Sequence, residues 1–196
     1  AENAISTQVR AFINGDGASG IQAASVSLAA DDTSSITAIA GAASIGGAFG
    51  GVGVAVSVGV SVATNEIRND VAAFINAANN QVKSTSGDIT VRATENASIE
   101  AISAAASLAA GVGGVAVSVS GAGADATNII LTKTNAYVSG GSKLDSAQDV
   151  VLAATNTSTI DATVVAASAS VAVGGVAVGA SIGSATAKNF IGWTRD

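Results

Sequence analysis

The 196-residue chain contains no cysteine, histidine, methionine or proline. Without cysteine there is no disulfide and no thiolate metal site. Without histidine or cysteine, no Ser-His or Cys-His nucleophilic pair can be assembled. Aromatic residues number one Trp, one Tyr and four Phe, too few for the two aromatic girdles of an outer-membrane barrel. Charge is scarce: eight Lys and Arg stand against fourteen Asp and Glu, a net of −6. Scattered cations make no positive stripe, so nucleic acid is excluded as a partner. Gly and Ser interrupt the apolar runs before they reach about 18 residues, so no membrane insertion by a spanning helix is expected.

What remains is small and apolar. Hydrophobic residues make up 48% of the chain but only 3% is aromatic, and 23 residues are glycine. A core of Val and Ala must be thin, with backbones close together, as in stacked sheets and solenoid coils. The most regular stretch is residues 51–65. Val52, Val54, Val56, Val58, Val60 and Val62 alternate there with Gly53, Ala55, Ser57, Gly59 and Ser61. Period two places all six valines on one face of a strand. The valine face is expected to point inward. Ala55, Ser57, Ala116, Ser118 and Ala177 would then form a flat outer face, open to a second strand layer or a neighbouring chain.

The pattern repeats. Val54, Val115 and Val176 head equivalent strands, and Asn3, Asn65, Asn128 and Asn189 open four copies. The copies are residues 1–62, 63–125, 126–186 and the partial 187–196, forming one repeat array. Each opener leads to an isoleucine, at Ile5, Ile67, Ile130 and Ile191. A strand follows at residues 9–14, 71–76 and 134–139, placing Phe12, Phe74 and Tyr137 in one column for core or corner packing. Variable loops rich in Gly, Asn and Ser come next and belong on the outside. A second strand then ends at Ala30, Ala93 and Ala154, and a polar patch precedes Ile36, Ile99 and Ile160. The Ala-rich run over 102–110 suits a helix by propensity. Its counterparts, β-branched over 163–173 and glycine-rich over 41–51, favour an extended chain.

The expectation is therefore an all-β, parallel β-solenoid, or β-helix, of three repeats of about 62 residues plus the start of a fourth. Solenoid coils of about 20–30 residues imply three coils per repeat, cut in the second copy at 63–83, 84–104 and 105–125, and a rod on the order of 45 Å long. The competing architecture is antiparallel. Gly113-Gly114 and Gly174-Gly175 would then be hairpin turns that fold the Ala-rich run back on the valine strand.

Candidate chemistry is sparse. Asp31 with Asp32 and Glu95 with Glu100 are possible carboxylate pairs, but their odd spacing sends the members to opposite faces of a strand. Structural calcium could draw on Gly121-Ala-Gly-Ala-Asp125, Asp16 or Asp70, yet the Gly-rich element is not repeated as a calcium roll requires. Residues 46–51 lack the Lys and Ser or Thr of a phosphate loop. The Asn column suits hydrogen bonding along a stack or turn capping. No catalytic, cofactor or metal residue is assigned.

The Ala-Thr-Asn65 and Ala-Thr-Asn128 openers, the Ala-Phe-Ile and Ala-Tyr-Val strands, Gly87-Asp-Ile-Thr-Val-Arg-Ala93 and Gly114-Val-Ala-Val-Ser-Val119 resemble the long repeats of leukotoxin-like filamentous adhesins. The likeness covers essentially the whole chain. It implies a large secreted or cell-surface protein whose β-solenoid repeats form a stalk, and it brings no catalytic residues. The chain opens at Ala1 and stops within a fourth copy, as a processed product or an excised piece would. The expected role is a structural segment of an extracellular adhesin or filament, not an enzyme. Its partners would be its own copies or neighbouring repeats. A carbohydrate- or surface-binding module, recognising host or surface glycans, is the alternative.

Overall fold

The computed structural model describes residues 1–194. Strand β1 spans Glu2–Asn14, β2 Ile21–Ala23, β3 Val26–Asp32 and β4 Ser35–Asn76. Strand β5 spans Val82–Ser84, β6 Ile89–Glu95, β7 Ser98–Ser139, β8 Leu144–Asp145, β9 Val150–Asn156 and β10 Thr159–Gly192. They form three sheets, ordered β1-β4-β7-β10, β2-β5-β8 and β3-β6-β9. Every pairing is parallel. The fold is a parallel β-solenoid.

Each repeat is one coil, not three. Asn3 pairs with Asn65, Asn65 with Asn128 and Asn128 with Asn189, and no strand pairs with another part of its own repeat. The array is therefore three coils and a part of a fourth, roughly 15 Å along the axis at about 4.8 Å per coil, not 45 Å. The coil is large because part of it is a long arch. Residues 35–49 run outward, the chain reverses at Gly50-Gly51, and residues 52–63 run back. Copies of the arch reverse at Gly113-Gly114 and Gly174-Gly175. The fold-back expected at these Gly pairs is present, but it is not a hairpin. The two legs meet through side chains, and their backbone hydrogen bonds run to the coils above and below.

Side-chain size sets the shape of the cross-section. In the body of the coil, Val71, Ile75, Val82, Ile89 and Val91 are fully buried and pack as one cluster. Toward the arch, Ile36, Ile67, Ile99 and Ile130 make a second cluster with Ala38, Ala97 and Ala101. The conserved-looking spacing of these isoleucines within the repeat thus marks the base of the arch. Beyond it, every inward position of the first two arches is Gly, Ala or Ser. The legs approach so closely that a Cβ on Gly46 would sit 2.5 Å from the Val56 carbonyl oxygen, and one on Gly59 2.5 Å from that of Ala106. Ordinary sheet packing keeps about 10 Å between layers; this narrower gap is lined by small side chains, with Val164 of the third arch the branched exception near the base.

The valines consequently point out. Val52 is 70% exposed and Val60 62%, whereas Ala55, Ser57 and Ser61 are buried. This inverts the orientation expected from alternation alone. Period two identifies which residues share a face but not which face is the core. The deciding feature lies further along the same strand. Ile67, Val71 and Ile75 have the odd parity of the small residues, and β4 runs unbroken from Ser35 to Asn76. With Ile67, Val71 and Ile75 committed to the core, the even-numbered valines must lie outside.

Candidate functional site

Two polar systems lie inside the coil. The first is the asparagine column. Asn3 Nδ2 donates to Asn65 Oδ1 at 2.8 Å, Asn65 to Asn128 at 2.8 Å and Asn128 to Asn189 at 2.9 Å. Asn65 and Asn128 are fully buried. Each amide can donate upward and accept from below, so the column satisfies itself at every added coil and fixes the stacking register. Serine bridges serve the arch in the same way. The hydroxyls of Ser44 and Ser57 are 2.7 Å apart, and those of Ser61 and Ser103 2.9 Å.

The second system is a carboxylate node. Strands β3, β6 and β9 place Asp32, Glu95 and Asn156 in one column. Strands β1, β4 and β7 place Thr7, Asn69 and Thr132 in the facing column. Asn69 Nδ2 donates to Asp32 Oδ2 at 2.8 Å and to Glu95 Oε1 at 3.0 Å. Thr7 Oγ1 donates to Asp32 at 3.2 Å, and Asn156 Nδ2 to Thr132 Oγ1 at 2.6 Å. Glu95 is 0% exposed and its Oε2 has no hydrogen-bond partner. Burial away from water raises its pKa to about 7; the Asn69 bond opposes the rise, and the charge and hydrogen bond of Asp32 add to it. The node therefore changes its proton occupancy near neutral pH. Glu95 is enclosed between the facing strands and has no exposed surface.

The carboxylate pairs considered from sequence do not form. Asp31 and Glu100 point to solvent while Asp32 and Glu95 point inward, as their odd spacing requires. The pair that does form, Asp32 with Glu95, is 63 residues apart and belongs to successive coils. Aligning the repeats by their strand ends would have found it. Asp16 accepts the Gln81 backbone N–H at 2.6 Å and so ties its loop to that of the next coil. Asp70 pairs with Arg10 at 3.2 Å on the surface. Asp125 accepts from Thr127 at 3.3 Å. Among the described residues, no three acidic side chains gather at one point. Residues 46–51 form the arch tip.

Phe12, Phe74 and Tyr137 do share a column, with ring centroids 5.2 and 5.0 Å apart and planes within 7° of parallel. Phe12 is 55% exposed, so the column stacks on the outside of the body and is not core. Phe74 is stacked on both faces, while Phe12 and Tyr137 end the column. A shallow outer groove crosses the same sheet, lined by Gln8, Arg68, Asp70, Lys133 and Trp193. Comparison with protein-family models, with curated proteins and with solved structures finds no match.

Proposed function

We propose that this chain is a structural segment of a secreted or cell-surface filamentous adhesin, a stalk whose product is length and which carries no enzyme activity. One observation supports this most directly. A repeat of about 62 residues makes one coil, and the Asn, Ile and aromatic columns continue from coil to coil in register. The outermost strands of the large sheet, β1 and β10, each offer one unpaired edge to a further coil. A coil can be added to such a stack without changing the coils below it. Electron microscopy tests the reading through chains carrying different numbers of repeats. Rod length should grow by about 4.8 Å per repeat. Particles whose length is independent of repeat number would refute it.

The groove beside Trp193 gives a second reading some support. Its polar and charged lining and the exposed indole suit a glycan on a stalk that also adheres. Binding of the chain to a glycan panel, lost on Trp193→Ala, would favour this module; no binding above background would exclude it.

A further inference from the structure

The arch turns an ordinary sheet inside out. Its return leg carries valine on every outward position of the first coil, from Val52 to Val62. Val52, Val115 and Val176 are in register, as are Val54, Val117 and Val178. No charged residue lies between Ser35 and Ala63. Soluble surfaces normally break up so broad an apolar face with charge. The backbone of this face is already paired along the axis, so it offers a flat sheet surface and not an edge for strand addition.

We infer that the valine face of the arch docks face to face on the same face of a second copy of this chain. The inference rests on the filament reading and gives it a lateral contact. The size is adequate. A leg of 11 residues stands about 35 Å tall, and three coils are about 15 Å wide. One face is therefore roughly 500 Å², and two facing copies bury on the order of 1,000 Å², the threshold of a specific interface. Each further coil adds roughly 170 Å² per copy by the same spacing. The chemistry is also self-matching. Toward the arch tip the columns Val52-Val115-Val176 and Val54-Val117-Val178 repeat valine at about 4.8 Å along the axis on both partners, and Gly121 and Gly123 leave hollows beside Val58 and Val60, so ridges and hollows interdigitate as in a dry sheet-to-sheet interface. A two-fold arrangement needs only this one surface. An acidic partner would find no countercharge on it, and a basic one only Asp125, in register with Val62 at the foot of the leg. A bilayer would find no aromatic belt, since the return legs carry no Phe, Tyr or Trp.

Sedimentation of the 196-residue chain across a wide concentration range tests this, beside Val54→Lys/Val58→Lys and the near-isosteric Val54→Thr/Val58→Thr, with circular dichroism as the check on folding. The native chain should dimerise. The lysine pair should weaken dimerisation at least tenfold, and the threonine pair should weaken it less. If lysine unfolds the arch, the threonine pair decides alone. A native chain that stays monomeric, or variants that associate as the native chain does, would overturn the inference. So would partition of the native chain onto phosphatidylcholine vesicles in place of dimerisation. Microscopy separates this outcome from that of the filament reading. Loss of the lateral contact leaves rods of single width that still lengthen with repeat number, whereas failure of axial stacking removes that lengthening and leaves lateral pairs.

Discussion

Glu95 should make the solenoid less stable as pH rises through neutrality. In the unfolded chain its carboxyl has the ordinary value of 4.5, and in the coil burial moves it to about 7. The folded state thus holds the proton more tightly. The stabilisation is fully present below about pH 4.5 and is lost as pH rises through about 7. A difference of about 2.5 pH units corresponds to about 3 kcal/mol. The physical source is the fully enclosed Oε2: when ionised it has neither water nor donor, and Asp32 lies close by. Glu95→Gln removes the charge at nearly constant shape. Urea unfolding of both proteins from acid to mildly alkaline pH measures the effect. At low pH the variant should be close to the native chain. Above pH 8 it should be more stable by about 3 kcal/mol, because only the native chain has to ionise a buried acid. Other carboxylates titrate in both proteins, so the difference between the two curves isolates this residue. A difference that does not change with pH would refute the reasoning, since it would mean that Glu95 is solvated or that Asn69 alone compensates its charge.

The gap between the arch legs leads to a contrast between neighbours. Ser57→Val places a branched side chain where Ser57 meets Ser44 at 2.7 Å, and should cost about 1–3 kcal/mol by overpacking. Val58→Thr, on the outer face, should change monomer stability by less than about 0.5 kcal/mol. Chemical denaturation of each checks the pair. Asn65→Ala interrupts the asparagine column at its buried middle, removing two side-chain hydrogen bonds, and should lower the unfolding free energy by about 2–3 kcal/mol. Asn3→Ala, at the end of the column, should cost less in the same assay. Ala77 has φ of +54°, and the equivalent Gly15 and Gly140 have φ of +81° and +65°. Ala77→Gly should therefore raise the thermal midpoint, with a gain of about 0.5–1 kcal/mol, since the left-handed conformation strains only the residue with a Cβ.

Much of the fold was legible in one dimension. Spacing between Asn3, Asn65, Asn128 and Asn189 set the repeat, and the columns of Asn, Ile and aromatic residues follow from it directly, because in-register stacking brings identical positions together. Small side chains at alternate positions required a thin core. The parallel stacking expected from the repeat is present, whereas the number of coils per repeat and the direction of the valines were decided only by the tertiary structure. A local pattern of period two is the same whether the partner strand lies 21 or 62 residues away, and whether the valines face in or out. The in-register pairing of whole repeats and the continuity of β4 chose between these. Ile67, Val71 and Ile75 fill the thick body, so one unbroken strand must turn Val52–Val62 to the outside and leave Gly, Ala and Ser to line the narrow gap between the legs of that arch. The Glu95 node was hidden for a related reason. Its members, Asp32, Asn69 and Glu95, come from two coils and opposite walls, and their proximity exists only once the chain has gone round the axis.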